Sequence, residues 1–187
     1  MSQWRAWLSD VQHYRQAERN WWACETLFVV TVYRMQRALL LARPRALWMP
    51  LRAILLVVKK AVTVISHIHL PPHADIGPGL YVVHIGAVKV HEDVRIGKNC
   101  TLLHGVTIGG ARHGAPVLGD DVFVGCHAAI LGPVKIGDRV NIGGGAIVVD
   151  DMPSDCTVVG PKARAIIKKR AEDRPETAEI SEKNSEC

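Results

Sequence analysis

The chain has 187 residues, 48% hydrophobic and 5% aromatic, with a formal charge of +5. That length holds one domain with a real core plus appendages, and that hydrophobic content excludes a disordered chain. Residues 1–65 carry ten Arg/Lys against three Asp/Glu, which leaves +7 there and −2 in the rest; the remainder is not basic enough for a nucleic-acid surface.

Residues 1–66 read as a helical region. Trp4, Trp7, Leu8, Val11 and Tyr14 recur at three- and four-residue steps, as on the apolar face of a helix. A second helix is expected from about Asn20 to Ala42, ending before Arg43-Pro44. A third is expected from about Pro50 to Ile65. None reads as a membrane span, which needs about twenty apolar residues. The mixture of Trp, Leu and Arg leaves a peripheral contact with a membrane face open, beside plain packing on the rest of the chain. The start, MSQWRAWLSD, shows no apolar core or cleavage site, and the five cysteines form no CxxC or framework spacing. A cytoplasmic, reducing location is the expectation.

After Pro71-Pro72 a period of six begins. It is cleanest from Leu118 onward: an aliphatic residue returns at Leu118, Val124, Ile130, Ile136, Ile142 and Val148. A small or β-branched residue follows four positions later, at Val122, Ala128, Val134, Val140 and Ala146. Neither a helix nor a simple strand repeats every six residues; a parallel β-helix does. Residues 67–167 are therefore expected to form a β-solenoid. The frame slips twice, once after Val82 and once after Ile108, and both slips lie beside histidines. Residues 168–187 are charged and nearly free of aliphatics, and a disordered tail is expected there.

The register yields a geometric expectation. His84 and His104 are each the third residue of a hexad, separated by three hexads plus a two-residue insertion. Three hexads make one triangular coil, so His104 should stand one rung from His84, about 4.8 Å along the axis. A satisfied histidine ladder and a catalytic one fit that placement equally.

The motifs IGPGLYVVHIGAVKVHEDVRIGKN, LLHGVTIGG, VLGDDVFVGCHAAILGPVKIGDRVNIGGGAIV and VVGPKARAI resemble those of the hexapeptide-repeat acyltransferases. Residues 68–165 are similar to the catalytic domain of serine acetyltransferases and of relatives that acetylate polysaccharide sugars. The resemblance implies a left-handed parallel β-helix, a homotrimer, and acetyl-CoA as co-substrate with no metal. It implies His84 as general base; His104, one rung away by the register, and His113, in a pair resembling the family's serine-holding Arg-His, are placed in the same catalytic set. Gly109, Gly110, Ala128 and Ala129 would line the pantetheine groove, and Lys162 and Arg164 would meet the phosphates of CoA. Arg112 and Glu92 would face the acceptor.

The chain departs from the serine-specific pattern. Val83 stands where an Asp precedes the catalytic histidine, and His69 stands where a second acid is expected. The loop bearing Arg112-His113 is shortened. With the grip on an amino acid weakened, the first expectation is an O-acetyltransferase acting on a sugar hydroxyl in polysaccharide assembly. That acceptor would be a small molecule or lipid-linked. The alternative is serine O-acetylation for cysteine synthesis. His104, Asp75 or Glu92 would orient His84, or it would work without an orienter. More remote are a γ-type carbonic anhydrase, whose close H-x4-H pair is absent, and an inactive coil scaffold.

Overall fold

The computed structural model describes residues 2–43 and 48–161. Lys162, Arg164 and the charged tail lie outside the described residues.

Among the described residues thirteen short strands wind around three flat faces, all pairing in parallel. The first face stacks β1 (Asp75–Ile76), β4 (Arg95–Ile96), β7 (Val117–Leu118) and β10 (Lys135–Ile136). The second stacks β2 (Tyr81–Val82), β5 (Thr101–Leu102), β8 (Phe123–Val124), β11 (Asn141–Ile142) and β13 (Thr157–Val158). The third stacks β3 (Lys89–Val90), β6 (Thr107–Gly109), β9 (Ala129–Leu131) and β12 (Ile147–Val148). This is the parallel β-solenoid expected from the six-residue period.

The period sets the interior. The hexad residues Leu118, Val124, Ile130, Ile136, Ile142 and Val148 are all buried, and so are Val122, Ala128, Val134, Val140 and Ala146. Each aliphatic side chain stacks on its copy one rung away, as in Leu102 beside Val124 and Ile108 beside Ile130. The corner between the first and second faces needs a backbone that few side chains tolerate. It is met by Gly79 at φ 80 and, rung by rung, by Asn99, Asp121, Arg139 and Asp155 at φ 53–62. Asn and Asp accept this conformation more readily than other side chains. At Gly97 space decides: a Cβ there would lie 2.4 Å from the Gly119 carbonyl oxygen.

Among the described residues three α-helices cap the first rung. They are α1 (Gln3–Ala17), α2 (Glu25–Leu41) and α3 (Met49–Ser66). The second begins later than its apolar run implies: Trp21–Ala23 form a 3-10 turn and Cys24 is extended, so the helix starts at Glu25. Starting there lets Thr26 donate to the Val82 carbonyl at 2.7 Å. The Tyr14 hydroxyl lies 3.1 Å from the Val82 amide and accepts its proton. Tyr33 donates to the Ala74 carbonyl at 2.8 Å. Backbone groups on the open edge of the first rung thus find side-chain partners, as an uncovered strand edge requires.

The first helix departs from its apolar pattern. Its buried residues are Ala6, Asp10 and Tyr14, while Trp4 is 65% exposed. Asp10 is fully buried because Arg34 meets it twice, Nε to Oδ2 at 2.7 Å and Nη2 to Oδ1 at 3.0 Å. The same Oδ1 accepts from the amides of Gly79 and Leu80 at 2.8 Å each. Arg34 then donates to the carbonyls of Ile76 and Gly77 at 2.7 and 2.6 Å. Burial lifts the Asp10 carboxyl above its ordinary range, against the pull of Arg34 and the two amides. A buried pair is tolerated when its remaining donors and acceptors are satisfied in this way.

Candidate active site

The corner between the second and third faces carries a histidine ladder. Tyr81 pairs with Thr101 and Val82 with Leu102, so His84 and His104 leave β2 and β5 at the same register position. Their ring centroids are 6.1 Å apart, with planes inclined at 46°. The one-rung relation read from the period is therefore present. His84 is exposed.

A third imidazole joins the ladder. His127 stands edge-on to His104, with centroids 5.2 Å apart and planes at 88°. Its amide donates to the His104 carbonyl at 3.0 Å. His127 sits three residues beyond Val124, the position that Gly105 and Gly145 hold in the rungs on either side. All three have positive φ: 75 for Gly105, 57 for His127 and 68 for Gly145. The His127 ring lies over Gly105, where a Cβ would meet its Nδ1 at 2.3 Å. The His104 Nδ1 is buried and has no hydrogen-bond partner among the described residues. Sequence reading left His127 without a role. The signal was present: it interrupts a column of glycines in a conformation that favours glycine.

The other expected site residues lie elsewhere on the prism. Gly109 ends β6, and Gly110, Arg112 and His113 follow it at the corner between the third and first faces. Arg112 and His113 are exposed on a tight loop closed by the Ala111–Gly114 bridge. Glu92 follows β3 at that same corner. His91 was not singled out, yet its ring fills the space a side chain would need at Gly110, with Nδ1 3.0 Å from the Cβ position. Likewise the Leu131 side chain lies 3.0 Å from a Cβ at Gly109. Both glycines therefore admit a neighbour from the adjoining rung. Ala129 is half-buried on the outer side of β9, but Ala128 points into the coil and is fully buried. Its side chain does not reach the outer surface.

Of the groups expected to orient His84, His104 alone is at hand. Asp75 is held by the Arg37 guanidinium, and Glu92 stands at the other corner. No side-chain hydrogen bond to His84 is present among the described residues. His69 bridges to Lys89, and burial, with Lys59 and Lys89 nearby, keeps its imidazole below the usual range. Among the described residues no group of three His, Cys, Asp or Glu side chains is placed to hold a metal ion.

One chain thus presents an imidazole corner and a glycine-loop corner on opposite margins of the third face. Residues 115–150 match the family described as bacterial transferase hexapeptide (six repeats). Over 164 residues the chain is 37% identical to a serine acetyltransferase of Helicobacter pylori, covering 82% of this chain and 91% of that one. A serine acetyltransferase of Synechococcus elongatus is 38% identical over 110 residues, 56% of this chain and 44% of that one. Among solved structures, a Neisseria gonorrhoeae serine acetyltransferase in complex with serine superposes with a TM-score of 0.71 at 25% identity. It covers 87% of this chain and 68% of that one. A soybean serine acetyltransferase apoenzyme gives 0.70 at 29% identity, over 88% and 69% of the two chains.

Proposed function

Because the chain belongs to the serine acetyltransferase family, an acetyl-CoA-dependent acyltransferase family, we propose that its acceptor is the hydroxyl of L-serine. The supporting observation is the extent of the match: it runs through nine-tenths of the Helicobacter pylori enzyme. The sugar acceptor expected from the departures at Val83 and His69 is the second reading, favoured by the lack of a carboxylate against His84 among the described residues.

In the proposed reaction the neutral imidazole of His84 takes the proton from the acceptor hydroxyl as its oxygen attacks the thioester carbonyl. The carbonyl oxygen takes up the displaced electron pair and then returns it. The C–S bond breaks, and the departing thiolate regains a proton from the imidazolium. The products are the O-acetyl ester and free CoA, and no acyl group rests on the protein. Histidine suits both halves because it exchanges protons near neutral pH.

The two corners lie on different edges of one prism, so the site we propose is composite. The ladder of one subunit faces Gly109, Gly110 and the Arg112-His113 loop of its neighbour in a trimer. His104 flanks the acceptor oxygen, and Ala129 lines the coenzyme groove. Lys162 and Arg164 are assigned to the CoA phosphates. The cytosol, where acetyl-CoA is available, is the proposed setting. The four described cysteines carry no disulfide. Thiol release from acetyl-CoA with L-serine, measured against a panel of free sugars, tests the acceptor. Turnover with serine and none with sugars is expected; the reverse would overturn the serine reading.

A further inference from the structure

The outward face of α3 is apolar. Ile54, Val57, Val64 and Ile65 are 60%, 71%, 59% and 75% exposed, and Ala61 lies exposed among them. Their spacing of three and four residues places them along one stripe of the helix. The opposite face, with Leu55 and Ser66, is the one that is buried. At 18 residues the helix is roughly 27 Å long. Such a stripe left in water is an interaction surface.

Three occupants are available, and charge separates them. The segment 162–187 has only Ile166, Ile167 and Ile180 as large aliphatics among its charged residues, too few for a stripe of this length. A second copy of the helix would bring the exposed Lys60 against its own kind, since α3 contains no Asp or Glu to pair with it. An anionic lipid surface meets both requirements. It takes the apolar stripe into its acyl boundary, and the +7 of residues 1–65 draws the helices to its headgroups. No described helix is long and apolar enough to cross a membrane, so the contact would lie in the plane of the interface.

We propose that α3 is a peripheral membrane-docking helix that seats Ile54, Val57, Val64 and Ile65 in an anionic phospholipid surface. The inference does not depend on the acceptor or on His84. Flotation of the full chain with vesicles tests it, comparing phosphatidylcholine alone with phosphatidylcholine containing phosphatidylglycerol. The protein should float with the anionic vesicles. The double variant Val57→Glu/Val64→Glu should bind them at least about tenfold more weakly, since two carboxylates then face the acyl region. Lys60→Glu should weaken anionic binding and leave binding to phosphatidylcholine unchanged. Both substitutions lie on exposed positions, so the melting temperature should hold. Wild-type protein that stays with the unbound fraction overturns the proposal, as does a double variant that binds normally. Light scattering adds a further decisive outcome: an assembly that the double variant dissociates, with no vesicle binding, assigns the stripe to a second copy instead.

Discussion

The imidazole of His127 stands edge-on to that of His104, one rung along the ladder, and its backbone holds a conformation that glycine holds in the rungs on either side. A ring kept at a strained corner is expected to brace its neighbour. His127→Gly should therefore separate the two effects. Relief of the left-handed backbone should leave the fold intact or stabilise it by about 1 kcal/mol. Loss of the brace should lower kcat several-fold with KM for acetyl-CoA unchanged. Melting and steady-state kinetics on the same preparation read both, and an unchanged kcat would reduce His127 to a packing residue.

Removing the proposed base is a simpler test. His84 is exposed and carries no structural hydrogen bond among the described residues, so His84→Ala should fold normally. Its turnover should drop by roughly 10²–10⁴-fold, the usual contribution of a positioned base. Thiol release at saturating acetyl-CoA and acceptor is the measurement.

Replacing the buried guanidinium acts on stability. Arg34→Met would strip Asp10 of its partner while leaving the carboxylate fully buried. Breaking such a pair from one side costs about 3–5 kcal/mol. A fall in melting temperature of many degrees is expected, with the helices detaching before the coil. Circular dichroism at two wavelengths would show whether the two losses separate.

How much of this could be read in advance depends on range. The inward positions repeat every six residues, so Val124, Ile130 and Ala128 announce their own burial. The one-rung relation of His84 and His104 followed from counting, because a parallel coil converts spacing along the chain into height. Asp10 was not legible in this way. Its partners are a guanidinium 24 positions later and two amides 69 and 70 positions later, and no local pattern links them. The proposed composite site was equally hidden, since its halves sit at corners that one chain keeps apart.

A glycine test concerns the coil itself. In Gly97→Ala the added methyl would meet a backbone oxygen at 2.4 Å and the Asp120 Oδ1 at 2.3 Å. The carbonyl of Gly119 accepts no shift without moving the next rung. The variant should be destabilised by more than about 3 kcal/mol, and insoluble expression is the expected outcome.

The thiols should divide by location. Burial pushes Cys100 up to about 12, and its side chain is enclosed in the coil. At neutral pH it should resist iodoacetamide in the native protein and react once the chain is denatured. Mass mapping of the labelled peptide before and after denaturant checks this.

The hydroxyls of Tyr14 and Thr26, closed over Val82, have a meaning beyond local pairing. A stack of identical rungs has no inherent reason to stop, and a bare terminal rung is a template for another molecule's rung. By occupying that template the helices act as a chain terminator, keeping the coils from joining end to end into fibrils.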